Sequence, residues 1–371
     1  MNTIAFFQGP RDRSAPYSLS LTLPVMRFIL WFFAALLSAQ CSAQIPTKSI
    51  TLGRQHVVIL ADSALAAKYI IADSTDRFFE RVTAVEMSIQ MKKPLNQQVS
   101  SADLATEYQR FLQSDMDGFT SDEAKMVEKT LRQIYPHCTR LRPDIFPDTL
   151  VLIKTKALHY GEGVYYTREN TIVIPYNALA GDRDAFKTTL YHELFHVFSR
   201  LNPDKRRALY QRIGFSGLGY DRLELPPLLA ARVLHNPDGV DFAQVIELSQ
   251  PQRPAILAVP IIYANEPGYK ADKPAFFSYL TFELFQVKET GDGRWRVLTK
   301  PDGLSSTLDL RSQPDFFRQI GDNTGYIIHP DEVLADNFAF LMEELERGEP
   351  VKKFSEAGRQ LLRDLEAALR R

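Results

Sequence analysis

Residues 184–200 read DAFKTTLYHELFHVFSR. Phe186, Leu190, Leu194, Val197 and Phe198 recur at helical spacing, so one apolar stripe faces a core while Thr189, His192, Glu193 and His196 share another face. Asp182 or Asp184 suits the start of this helix as a cap. His192 and His196 stand at i and i+4, one turn apart, so both imidazoles can reach a common point with the Glu193 carboxylate beside them.

Two imidazoles able to meet one ion at bonds of about 2 Å, next to a carboxylate, are what metal-assisted hydrolysis requires. H-E-x-x-H on a helix is accordingly a signature of zinc hydrolases. A catalytic zinc ion usually takes three protein ligands and keeps one position open for water, so a third donor is expected elsewhere in the chain. The extension H-E-x-x-H-x-x-G-x-x-H is excluded, because Ser199 stands where the glycine belongs and Asn202 where the third histidine belongs. Downstream of Val197, Glu332 is the one glutamate with an aspartate four residues later, Asp336.

Residues 331–341, DEVLADNFAFL, read as a second helix. Pro330 fits its first turn, acidic groups near the start suit its dipole, and Glu332 and Asp336 share a face. H-E-x-x-H followed by E-x-x-x-D is similar to the gluzincin clan of metallopeptidases, which includes the thermolysin-like enzymes; the resemblance covers these two short helices. It implies a zincin-like α+β catalytic domain with a mixed sheet, His192, His196 and Glu332 as ligands of one zinc ion, and Glu193 as general base. It also implies Asp336 as the carboxylate that steadies a ligating histidine. The ordinary alternative for Glu332 and Asp336 is a solvated acidic face. His329 and His235 stand as competing third ligands, and His329 equally suits a cap or a hydrogen bond to substrate. Tyr326, Tyr263, Tyr279 and Arg222 are candidates for stabilising charge on a reacting carbonyl, and the sequence singles out none of them.

A net charge of −1 and 45% hydrophobic residues describe an ordinary folded body with no electrostatic footprint for nucleic acid. Residues 28–37, FILWFFAALL, follow Arg27 and precede small residues ending at Ala43, the three regions of a secretory signal peptide. The run is too short for a membrane span. Residues 1–25 read as a spurious extension ahead of a start at Met26, with cleavage after Ala43. A periplasmic or extracellular protein is expected. Lipid anchoring at Cys41 fits less well, because Gln40 occupies the place of a small residue. The remaining cysteine, Cys138, then has no intrachain partner and reads as a semi-buried structural residue rather than as a metal pair with His137.

Residues 44–147 read as a helical N-terminal section, propeptide or permanent. Val57 to Leu60 is a strand, and Ser101 to Gln113 and Ser121 to Tyr135 are helices, the second opened by the capping box Thr120-x-x-Glu123. In the zincin-like domain, residues 148–371, Asp148 to Leu158 is rich in Val, Ile and Leu. Gly163–Thr167 and Thr171–Pro175 form a hairpin, with Ile172, Val173 and Ile174 either the sheet edge for extended substrate or an internal strand paired on both sides. A largely β insert, about 202–323, separates the two zinc helices and carries strands at Ala255–Tyr263, Phe276–Val287 and Arg294–Leu298. A last helix spans Phe354 to Arg370.

The expected activity is hydrolysis of peptide bonds in a peptide or protein substrate, with no stable membrane span and the oligomeric state open. An exported zinc-containing scaffold without turnover is the rival from another class. A zinc hydrolase of a non-peptide amide or ester shares every site residue with the first reading.

Overall fold

Short runs of Val, Ile and Leu build the sheet on which the H-E-x-x-H helix rests. In the computed structural model, which describes residues 43–96, 98–350 and 354–371, such runs form β2 (His56–Leu60), β4 (Thr149–Thr155) and β6 (Thr171–Pro175), joined by β1 (Lys48–Leu52) and the short β3 (Met116–Asp117) and β5 (Tyr166–Arg168). Their order is β1-β2-β4-β6-β5, with β3 paired to the end of β4. β2, β4 and β6 run parallel, while β1 and β5 are antiparallel to their neighbours. The fold is thus α+β with a mixed sheet. The predicted leader, with Met26, Arg27 and Cys41, lies outside the described residues except for Ala43.

Between the strands run α1 (Ser63–Tyr69), α2 (Phe78–Arg81), α3 (Ala84–Met91), α4 (Ser101–Ser114) and α5 (Ser121–Leu141). The section 44–147 therefore supplies strands as well as helices, and its β2 is hydrogen-bonded directly beside β4. The capping box forms: Glu123 N–H donates to Thr120 Oγ1 at 3.3 Å and Thr120 N–H to Glu123 Oε2 at 2.6 Å. α5 runs past the expected end at Tyr135 and through Pro136, because Leu131, Ile134, Cys138 and Leu141 continue one buried stripe. That packing outweighs the hydrogen bond a proline cannot donate.

Of the two readings of Ile172, Val173 and Ile174, the sheet edge is corrected and the internal strand holds: they lie in β6, paired on one side with β4 and on the other with β5, and the edges are β1 and β5. The physical reason is in the composition: every residue of β6 is buried, and an apolar run without polar alternation is what a strand covered on both faces shows.

After β6 come α6 (Arg183–Leu201) and α7 (Pro203–Arg212), then α8 (Pro227–Arg232), α9 (Pro314–Ile320), α10 (Pro330–Arg347) and α11 (Glu356–Leu369). Asp182 caps α6 by accepting from Asp184 N–H at 2.8 Å. α6 packs on β5 and β6 and lies antiparallel to α10. Along the pair Lys187 meets Glu346, Thr188 meets Glu343, His192 meets Asp336 and His196 meets Asp331. Phe195 and Phe338 seal it with ring centroids 5.5 Å apart.

The stretch between these helices folds a second six-stranded sheet from β7 (Phe215–Gly217), β8 (Leu223–Glu224), β9 (Gln244–Gln250), β10 (Arg253–Ala264), β11 (Leu280–Glu289) and β12 (Trp295–Val297). The three strands read from sequence are present, with β11 and β12 joined through Gly291 and Gly293, both at positive φ. Val245, Val259, Ile261, Phe285 and Val297 lie in its core. Among the described residues no helix is long and apolar enough to cross a membrane.

Candidate metal centre

α6 is enclosed on all sides from Leu190 to Arg200, unlike the helix with one exposed polar face that its periodicity predicts. The polar face is covered by α10, which brings His192, Glu193 and His196 into the interior, at 9, 3 and 0% exposure. Burial at this depth demands partners for every polar atom.

Each ring uses its Nδ1 on a carboxylate. His192 Nδ1–H donates to Asp336 Oδ1 at 2.9 Å and His196 Nδ1–H to Asp331 Oδ2 at 2.7 Å. The Nε2 atoms face each other at 2.9 Å and face Glu332 Oε2 at 3.2 and 3.4 Å. Three ligand atoms at tetrahedral positions about a zinc ion, each bonded at about 2.0–2.1 Å, would stand about 3.3 Å apart. Among the described residues, His192, His196 and Glu332 are the group placed to hold a metal ion. Two ring nitrogens and a carboxylate oxygen converging in a buried space call for positive charge between them, a proton or a metal ion.

The electrostatics carry the same demand. Burial opposes charge on His192, but Asp336 and Glu332 outweigh it and push the ring up to about 10. Burial likewise opposes charge on His196, and Glu332, Asp238 and Asp331 overcome it, raising that ring well above the ordinary range. Glu332 is held low: burial would raise it, and the two imidazoles reverse the sign. Glu193 differs. Burial first and the charge of Asp238 next push its carboxyl up to about 8 against the imidazoles, and its Oε2 is buried with no hydrogen-bond partner.

Several supporting residues carried no local signal. Asp331 accepts from Ser199 Oγ–H at 2.5 Å and Tyr210 Oη–H at 2.8 Å besides His196, and so anchors one imidazole to two other helical side chains. Asp336 also accepts from Thr324. Asn236, from the insert, donates to Glu332 Oε1 at 2.6 Å. Asp238 accepts from the backbone and hydroxyl of Thr167 in β5, both at 2.6 Å. The sequence Asn236-Pro237-Asp238-Gly239 is a turn signature, the one hint available for the last two.

The competing ligands are engaged elsewhere. His329 caps α10: its Nδ1 accepts from Asp331 N–H at 3.1 Å and its Nε2–H donates to Asp241 O at 3.1 Å. Burial holds it neutral by lowering its pKa. His235 lies against Glu86, Nδ1 to Oε2 at 3.1 Å. Of the candidates for charge stabilisation, Tyr326 is at the site, its ring stacked on His192 with centroids 6.1 Å apart. Tyr263 bonds Glu283 and Tyr279 bonds Lys270 within the insert, and Arg222 is exposed on it. Tyr165, not singled out by sequence, lies beside Glu193, whose charge adds to burial in raising the phenol. Cys138 is fully buried on α5, and burial raises its thiol.

Comparison of the chain with models of known families, with curated proteins and with solved structures finds no match. The chemistry of the site has to be argued from its geometry.

Proposed function

We propose that this chain is an exported zinc-dependent hydrolase of the gluzincin type with a zincin-like fold, cleaving peptide bonds. The observation that carries the reading is the convergence of His192 Nε2, His196 Nε2 and Glu332 Oε2 beside the unpartnered Oε2 of Glu193. The donor set fits zinc: two imidazoles and one carboxylate oxygen, with orienting carboxylates behind both rings. Bound there, a zinc ion would lower the pKa of its water toward about 7 and polarise a carbonyl.

The chain's own residues then handle the proton. Glu193 is one residue from His192 on α6, and no partner immobilises its Oε2, so it is available to take the proton of an attacking water and deliver it to a leaving amine. Its raised pKa belongs to a buried carboxyl facing Asp238, and positive charge at the ligand atoms would return it toward the carboxylate a base requires. Asp336 and Asp331 hold the Nδ1 side of each ring, which turns both Nε2 atoms toward the ion they would bind. Export rests on residues 26–43.

The rival scaffold reading is disfavoured by Glu193, since a purely structural site closes its fourth position and has no use for a buried, unpartnered base. The test is zinc content of the purified protein beside Glu332→Ala and Glu193→Gln. One zinc per chain, lost in Glu332→Ala and kept in Glu193→Gln while hydrolysis of a peptide library falls by about 100-fold or more, is expected. A wild type without zinc, or Glu332→Ala with full zinc, overturns the assignment.

A further inference from the structure

Besides Tyr210 of α7, which bonds Asp331, the insert reaches the metal centre through the turn at residues 236–239 between α8 and β9. Gly239 N–H donates to Asn236 O at 3.1 Å, closing it. It is clamped on every side. His235, just ahead of it, gives both its backbone N–H, at 3.0 Å, and its Nδ1–H, at 3.1 Å, to Glu86 of α3, a carboxylate with no exposure. Arg200 of α6 donates to Pro237 O at 3.0 Å, and Asp238 is bonded to Thr167 of β5. At Gly239 a Cβ would fall inside the ring of His329, so only glycine lets the turn seat against the cap of α10.

Asn236 is the residue this clamp aims. Its Oδ1 accepts from Asp238 N–H at 3.3 Å, which fixes the amide's orientation and turns Nδ2 toward Glu332 Oε1 at 2.6 Å. A carboxylate on a flexible side chain can offer a cation both oxygens. One oxygen tied to an amide donor leaves the other as a single ligand atom, and it is Oε2 that faces the imidazoles. A single-oxygen ligand keeps a coordination position free for water, as a hydrolytic site requires.

We propose that Asn236 is a positioning residue of the metal centre: delivered by the insert, it fixes Glu332 as a one-oxygen ligand, so that metal affinity and coordination number depend on a turn remote in sequence from both zinc helices. This rests on the metal-binding reading above. The insert is on this view a working part of the centre rather than an appendage to it.

The test compares wild type with Asn236→Ala and with Asn236→Leu, which keeps the side-chain volume without the donor. Zinc affinity is read by competition with a chromophoric chelator, cobalt(II) coordination by visible absorption, and the fold by melting of the metal-free protein. The expected result is zinc affinity about 10- to 100-fold weaker in both variants, with cobalt bands lowered as the second carboxylate oxygen joins the ion, and an unchanged metal-free melt. Affinity within twofold of wild type and an unaltered cobalt spectrum would overturn the proposal. So would loss of the cooperative melt in both variants, which would make the amide a folding contact. A wild type that binds neither metal sinks the zinc reading itself, a distinct failure.

Discussion

Between α6 and α10 the interior is polar, with His196, Ser199, Asp331 and Glu332 all but inaccessible, whereas between β9, β10 and β11 it is Val245, Val259, Ile261, Phe285 and Val287. Buried side chains do different work in the two places. In the insert they remove apolar area from water, a contribution that is non-directional and tolerates small displacements. In the helix pair each buried group needs a partner at a set distance and angle, and the stability gained from such pairs is modest beside the penalty of leaving one unmet. The insert sheet is thus an apolar core and the helix pair a polar one that carries the candidate site, and the turn at residues 236–239 and Tyr210 connect the insert to it.

The largest effect expected from this contrast is on stability. Phe285 is fully buried in the core of the insert, and Phe285→Ala should destabilise the protein by about 3–5 kcal/mol. Its melting temperature should drop while the folded protein still binds zinc with wild-type affinity. A zinc affinity that falls together with the melting temperature would break the contrast, and would mean that the packing of β10 and β11 sets the metal site directly.

The same contrast explains what could be read in advance. H-E-x-x-H and E-x-x-x-D are local patterns, because an i,i+4 spacing on a helix places side chains on one face whatever surrounds it. His192, His196, Glu332 and Asp336 were legible for that reason, as were the strand-like segments of the insert and the Gly291 and Gly293 turn. Asp331 was not, since one more acid at a helix start is already accounted for by the dipole. Its link to His196 depends on how α6 and α10 cross. Asn236 was still less accessible, being joined to Glu332 through 96 residues of chain. For β6 an edge and an internal strand both stood open, and its uniform apolarity pointed to the internal one. β9 was missed, although the alternating burial of QVIELSQ is the ordinary mark of a strand.

Within the helix pair the contrast sharpens to two carboxylates. Asp331 is 1% exposed and accepts from three side chains, His196, Ser199 and Tyr210. Asp331→Asn removes the charge on which those donors converge, and an amide there must turn either an oxygen or a donor toward His196. Zinc affinity should fall by about 10- to 100-fold, read by chelator competition.

Asp336, the member of the pair the sequence pattern names, should matter less. Its side chain is 21% exposed and supports His192 with Thr324 behind it, so water can take over part of the hydrogen bonding when the charge is lost. Asp336→Asn should weaken zinc binding by no more than about tenfold, the lower end for carboxylates that orient a ligating histidine. The ranking is the informative quantity. If Asp331→Asn costs more, depth of burial decides how strongly a carboxylate governs the ligand in front of it, and the residue that sequence cannot see outweighs the one it can. If Asp336→Asn costs as much or more, His192 is the ligand on which the centre depends, and its exposed side needs the charge because solvent there competes for the ring.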